Sequence, residues 1–172
     1  MLTCVRRYLQ RALCSACILF VSGALSFSAW AQTPAIPSTG ESVFRVFVRA
    51  EPTGLITSSL AQEDNRWILR ATNQITSPLD LQTPLFEMTY DSEWKPQHLQ
   101  ISGTRNGELF NIESTFGDGT VTNDVQIGSE TTTSEERIDE GSIVLPNFFF
   151  AAYEALAIRL TILQPGDQLP IY

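Results

Sequence analysis

From Ser42 to Ile127 apolar residues recur at every second position, and the alternation is broken at short intervals by clusters of Gly, Pro, Asn and Asp. A period of two marks half-buried strands, and such clusters mark turns. Ser42–Arg49 sets Phe44, Val46 and Val48 on one face and Arg45 and Arg49 on the other. Glu51-Pro52-Thr53-Gly54 predicts a turn, with Pro fixing φ and Gly tolerating positive φ. Leu55–Ala61 resumes, Glu63-Asp64-Asn65 turns, and Arg66–Asn73 puts Trp67, Leu69 and Ala71 together. Thr76–Pro84 predicts a longer link. Phe86, Met88 and Tyr90 then share a strand face, and Asp91–Pro96 predicts a turn. Gln97–Thr104 directs Leu99 and Ile101 inward and His98, Gln100 and Ser102 outward. Asn106-Gly107 is a strong hairpin signal. Leu109–Thr115 brings Phe110 and Ile112 inward, Gly117-Asp118-Gly119 turns, and Thr120–Ile127 alternates again. Thr131–Asp139 is polar on both faces and reads as a charge-blunted edge strand or a loop.

The period changes after Pro146. Phe149, Tyr153, Leu156, Leu160 and Leu163 recur at spacings of three and four, among helix-favouring alanines. The pattern predicts a helix over 148–163, capped by Asn147 and stopped by Pro165-Gly166. Only Glu154 and Arg159 are charged in it, which predicts cover on more than one side. Strands first and helix last give an α+β class. The expected architecture is a curved antiparallel meander of about seven or eight strands, an incomplete barrel, with one late helix on its concave face. That face would carry Phe44, Trp67, Phe86, Met88, Tyr90, Phe110 and Ile112.

The first residues follow other rules. Arg6, Arg7 and Arg11 precede an apolar run to Phe27, and Ala29-Trp30-Ala31 offers small residues at a cleavage site. That order predicts a secretory signal peptide over 1–31, cleaved after Ala31. A membrane anchor is the alternative, but the run falls short of the roughly 20 residues a span needs. Residues 32–40, rich in Pro, Thr and Ser, read as a flexible leader, and 41–172 as a single β-rich domain. The expected location is the periplasm or the medium, with no stable membrane span after cleavage. Cys4, Cys14 and Cys17 all lie in the signal, so the exported part has no disulfide to rely on.

Composition then narrows the chemistry. The net charge is −8, and residues 1–31 contribute arginines but no acid, so the exported part is more acidic still. Such a chain repels phosphate backbones, which argues against a nucleic-acid partner. One histidine, His98, and no cysteine in the exported part leave no zinc-ligand pairing. Asp118 with Asp124 is a calcium candidate, although Gly-Asp-Gly is more often a plain turn. No G-x-S-x-G elbow is present, and Ser102 and Ser129 lack its flanking pattern. Glu87, Asp91 and Glu113 lie on strands that could come near one another, without a spacing that marks a catalytic pair. Phosphate loops are absent from the sequence. The expectation is a chain that is not itself an enzyme and takes no cofactor. The one functional hint is aromatic. Trp67, Phe86, Met88, Tyr90, Phe110, Phe149 and Tyr153 either line a cavity for an apolar small molecule or form an ordinary core.

Four segments carry a resemblance: FRVFVRAEPTG (44–54), LFEMTYDSEWKP (85–96), TVTND (120–124) and LPNFFFAAYEALAIRL (145–160). Together they resemble the N-terminal β domain of exported bacterial α/β-hydrolase precursors, similar in pattern to LolA-like half-barrels, in which a curved sheet wraps a helix. The resemblance covers nearly all of residues 32–172 and rests on structural motifs. It implies an accessory, non-catalytic domain with a hydrolase domain as partner. The catalytic serine and histidine of such precursors match no position here. Leu169-Pro170-Ile171-Tyr172 reads like the start of a further strand, so the domain is expected to be incomplete at its C-terminus.

Overall fold

The computed structural model describes residues 39–76 and 78–172. The expected signal peptide over 1–31 and all but the last two residues of the leader lie outside them. Eight strands form one sheet in the order β1-β2-β3-β4-β5-β6-β7-β8, every neighbouring pair antiparallel. The strands are β1 Gly40–Val48, β2 Glu51–Glu63, β3 Arg66–Ile75, β4 Leu81–Tyr90, β5 Pro96–Arg105, β6 Glu108–Gly117, β7 Thr120–Ile127 and β8 Glu130–Arg137. The sheet is an open meander, and one helix, α1 Ala152–Ile162, follows it. This is the α+β arrangement expected from the sequence, an open antiparallel meander of eight strands with one late helix.

Local chemistry explains three of the seven turns between strands. Asp64-Asn65, Asn106-Gly107 and Asp118-Gly119 each place two residues at positive φ between paired strand ends. That is the twist a two-residue hairpin requires, and Asn, Asp and Gly adopt it most readily. The first hairpin departs from expectation. Its turn is Arg49-Ala50, at φ 52° and 68°, while Glu51-Pro52-Thr53-Gly54 belongs to β2. Pro52 lies opposite Phe47, where the register shifts, so its missing N–H interrupts no regular ladder. Gly54 serves a close approach rather than a turn: a Cβ there would stand 2.6 Å from the Gln74 carbonyl oxygen. The expected link over 76–84 is shorter than predicted. Leu81–Pro84 is already strand, with Pro84 inside a second register shift. The polar stretch over 131–139 resolves as an edge strand, β8, up to Arg137.

One face of the sheet holds the core. Leu69, Phe86, Met88, Tyr90, Ile101 and Val121 are almost wholly buried on it, and Phe116 and Leu99 join them. Phe44, expected there, is 42% exposed, because the cover does not extend fully over the edge strand. The cover is the chain after β8. Ile143 and Val144 enter the core, and Ile143 forms a parallel bridge with Ile171.

The helix differs from its prediction in three respects. It begins at Ala152, because Phe148 takes a left-handed φ of 70° and breaks the run. Asn147 therefore caps nothing. The first free N–H groups are met by tight bonds three residues back, Ala152 to Phe149 and Tyr153 to Phe150. The buried side is Ala152 and Ala155, not the larger stripe, and Tyr153 and Leu160 are more than half exposed. The cover expected on further sides is absent among the described residues. Two polar anchors set the orientation. Ser58 on β2 donates to the Glu154 carboxylate, and the Arg159 guanidinium donates to the carbonyls of Glu93, Trp94 and Gly141.

Candidate functional site

A groove of about 590 Å³ opens where the covering chain leaves the sheet. Its floor is Phe110 and Ile112 on β6 with Val125 and Ile127 on β7, and its wall is Pro146–Phe149. Strand alternation positions the floor. Ile112 pairs with Val125 and Phe110 with Ile127, so all four point to the covered face. At the far end of that face from Trp94, β6 and β7 run beyond the helix, and Ile127 is left 50% exposed. Phe149 anchors the wall, with its ring 5.8 Å from Phe86 and 6.3 Å from Phe110. Gly103 makes room for Phe110, since a Cβ there would meet the ring at 3.0 Å and the Gln82 carbonyl at 2.2 Å. The rim is polar and of mixed charge. Arg105 lies over the Phe148 ring at 5.0 Å, and Glu108 stands near Gly128 rather than on Arg105. The volume and the apolar lining fall within the range of small-molecule sites.

The structure brings only two of the seven expected lining residues to this groove, Phe110 and Phe149. Trp67, Phe86, Met88 and Tyr90 are deep in the core beside it. Trp67 stacks on Trp94 at 4.9 Å, and Tyr90 lies 5.5 Å from the same ring. Tyr153 is on the outer side of α1, 6.3 Å from Phe150. Sequence reasoning missed Val125, Ile127, Leu81 and Phe148 as lining. The first two were legible as inward positions, but not as positions that the helix leaves uncovered.

Some buried polar groups have no partner among the described residues. Asn73 and Thr83 sit opposite each other on β3 and β4, and neither side chain makes a hydrogen bond. The Tyr90 hydroxyl is likewise unmatched, and complete burial pushes its ionisation well above the ordinary phenol range.

The carboxylates considered for chemistry are engaged elsewhere. Glu87 accepts from Arg70 at 2.7 Å, and Asp91 accepts from the backbone N–H groups of Glu93 and Lys95. Glu113 meets His98 Nε2 at 3.1 Å on the uncovered face. Asp118 is in the β6–β7 turn, whereas Asp124 is within β7 and accepts from Thr133. Ser102 is on the uncovered face of β5, and Ser129 is in the β7–β8 turn. Among the described residues no group of three or more His, Cys, Asp or Glu is placed to hold a metal ion. No helix among them is long and apolar enough to cross a membrane.

Set against protein-family models, curated proteins and solved structures, the chain matches none of them.

Proposed function

We propose that this chain is a non-catalytic exported β domain, the accessory N-terminal part of a secreted or periplasmic hydrolase. The observation that carries the reading is the outer side of α1. Tyr153 and Leu160 are 51% and 56% exposed there, Phe150 in the turn just before the helix is 45% exposed, and the buried side of α1 is alanine. Large aromatic and aliphatic groups turned to solvent over a small-residue contact are arranged for another domain to cover. The resemblance of segments 44–54, 85–96, 120–124 and 145–160 to hydrolase precursors supplies the kind of domain. The expected outcome in the native cell is a polypeptide that carries this domain, is larger than 19.1 kDa, and labels with a serine-directed fluorophosphonate. A product no larger than that mass, unreactive to the probe, contradicts the reading.

A second reading rests on the groove. Its apolar floor and aromatic wall suit an apolar small molecule, which would make the domain a binding protein for a lipid or similar ligand. It predicts saturable uptake of a fluorescent fatty acid, weakened by Ile127→Asp in the groove floor. Uptake unchanged by that substitution, or none at all, removes this reading.

A further inference from the structure

The two edges of the sheet are built differently. β8 is Glu130–Arg137, ETTTSEER, and its charges blunt it against further pairing. β1 is Gly40–Val48, GESVFRVFV, with no proline and few charges. Val43 and Phe47 are 58% and 57% exposed on it. Among the described residues nothing pairs with its outer row of N–H and C=O groups. A long, apolar, unblunted edge is a template for another strand.

We propose that β1 pairs antiparallel with β1 of a second copy of this chain, about a two-fold axis at Val43. Charge selects both the partner and the register. Glu41, Val43 and Arg45 lie on one face of β1, and neither Glu41 nor Arg45 is in an ion pair among the described residues. A two-fold axis perpendicular to the sheet keeps each face continuous across the joint, so residues of like parity oppose one another. With Val43 on the axis, Glu41 faces Arg45 of the second copy, and the pair occurs twice. On the other face, Ser42 opposes Phe44, which leaves room for the ring. An axis at Ser42 or Phe44 brings Glu41 opposite no arginine. An axis at Arg45 sets Glu41 against Arg49 but places two Arg45 side chains in direct opposition, which is unfavourable. The Val43 register pairs Thr39 through Phe47, nearly the whole strand, and closes after two copies instead of growing into a filament.

Sedimentation of the protein purified after expression of the full coding sequence tests this. The expected result is a concentration-dependent dimer in the micromolar range. Arg45→Glu, which opposes like charges twice, weakens it about tenfold or more. The double exchange Glu41→Arg with Arg45→Glu restores it. Val43→Lys, which sets two ammonium groups against each other on the axis, also separates the copies, and circular dichroism unchanged from wild type shows that the sheet persists. A monomer at every concentration overturns the proposal. So does a dimer indifferent to Arg45→Glu, or a double exchange that restores nothing. A monomer that instead captures a strand of another polypeptide overturns it as well.

Discussion

Tyr90 is wholly buried, and its hydroxyl meets no donor or acceptor among the described residues. Burying an unpaired hydroxyl costs about 1–3 kcal/mol, so the ring is kept for its volume between Trp94 and the sheet rather than for its polar tip. Its ionisation adds a pH dependence whose sign follows from burial. The unfolded side chain ionises near pH 10, whereas the folded one stays neutral to higher pH. The folded value is raised, so the contribution is intact below about pH 10 and is lost as pH climbs beyond it. Tyr90→Phe is therefore expected to match or exceed wild-type stability at neutral pH by up to about 1 kcal/mol, with a shallower decline above about pH 10. Urea unfolding at the two pH values checks both points. A variant weaker by more than about 1 kcal/mol at neutral pH would mean that the hydroxyl has a partner.

Among the elements, α1 separates what pattern shows from what packing decides. Its existence was legible from the three- and four-residue spacing, but its orientation was not. A helix that is apolar nearly all round offers no contrast by which periodicity can choose a face. The choice falls to contacts remote in sequence: Ser58 on Glu154, and three carbonyls around Arg159. Small side chains at Ala152 and Ala155 then allow the helix to lie close to the sheet. Ala155→Leu is accordingly expected to destabilise by about 1–3 kcal/mol through overpacking. Tyr153→Ser, on the predicted stripe but exposed, is expected to cost under about 0.5 kcal/mol. Thermal unfolding distinguishes the two, and a larger loss at Tyr153 would restore the stripe reading. The strands were more legible, because alternation and Asn-Gly or Asp-Gly turns act locally. The Arg49-Ala50 turn was not, since neither residue advertises positive φ and Pro52-Gly54 advertises a turn that the bulge absorbs. At the groove, Phe110 and Phe149 were legible and Trp67, Phe86, Met88 and Tyr90 were placed on the right face. Which inward residues stay open depends on where the covering chain stops, and no local pattern encodes that.

For the molecule as a whole, the sheet among the described residues buries one face beneath the chain that follows it and leaves the other uncovered, with Val43, Phe47, Leu55 and Leu109 exposed among polar residues. It carries one blunted edge and one open edge, with an apolar groove at one end. These surfaces suit association: a second copy at β1, another domain at Phe150, Tyr153 and Leu160. The central claim is that the domain serves a hydrolase encoded with it. Reading the DNA beyond the codon for Tyr172, in all three frames, tests it most directly. The account predicts further alternating strands followed by a G-x-S-x-G serine elbow. A clean stop followed by an unrelated gene would contradict it.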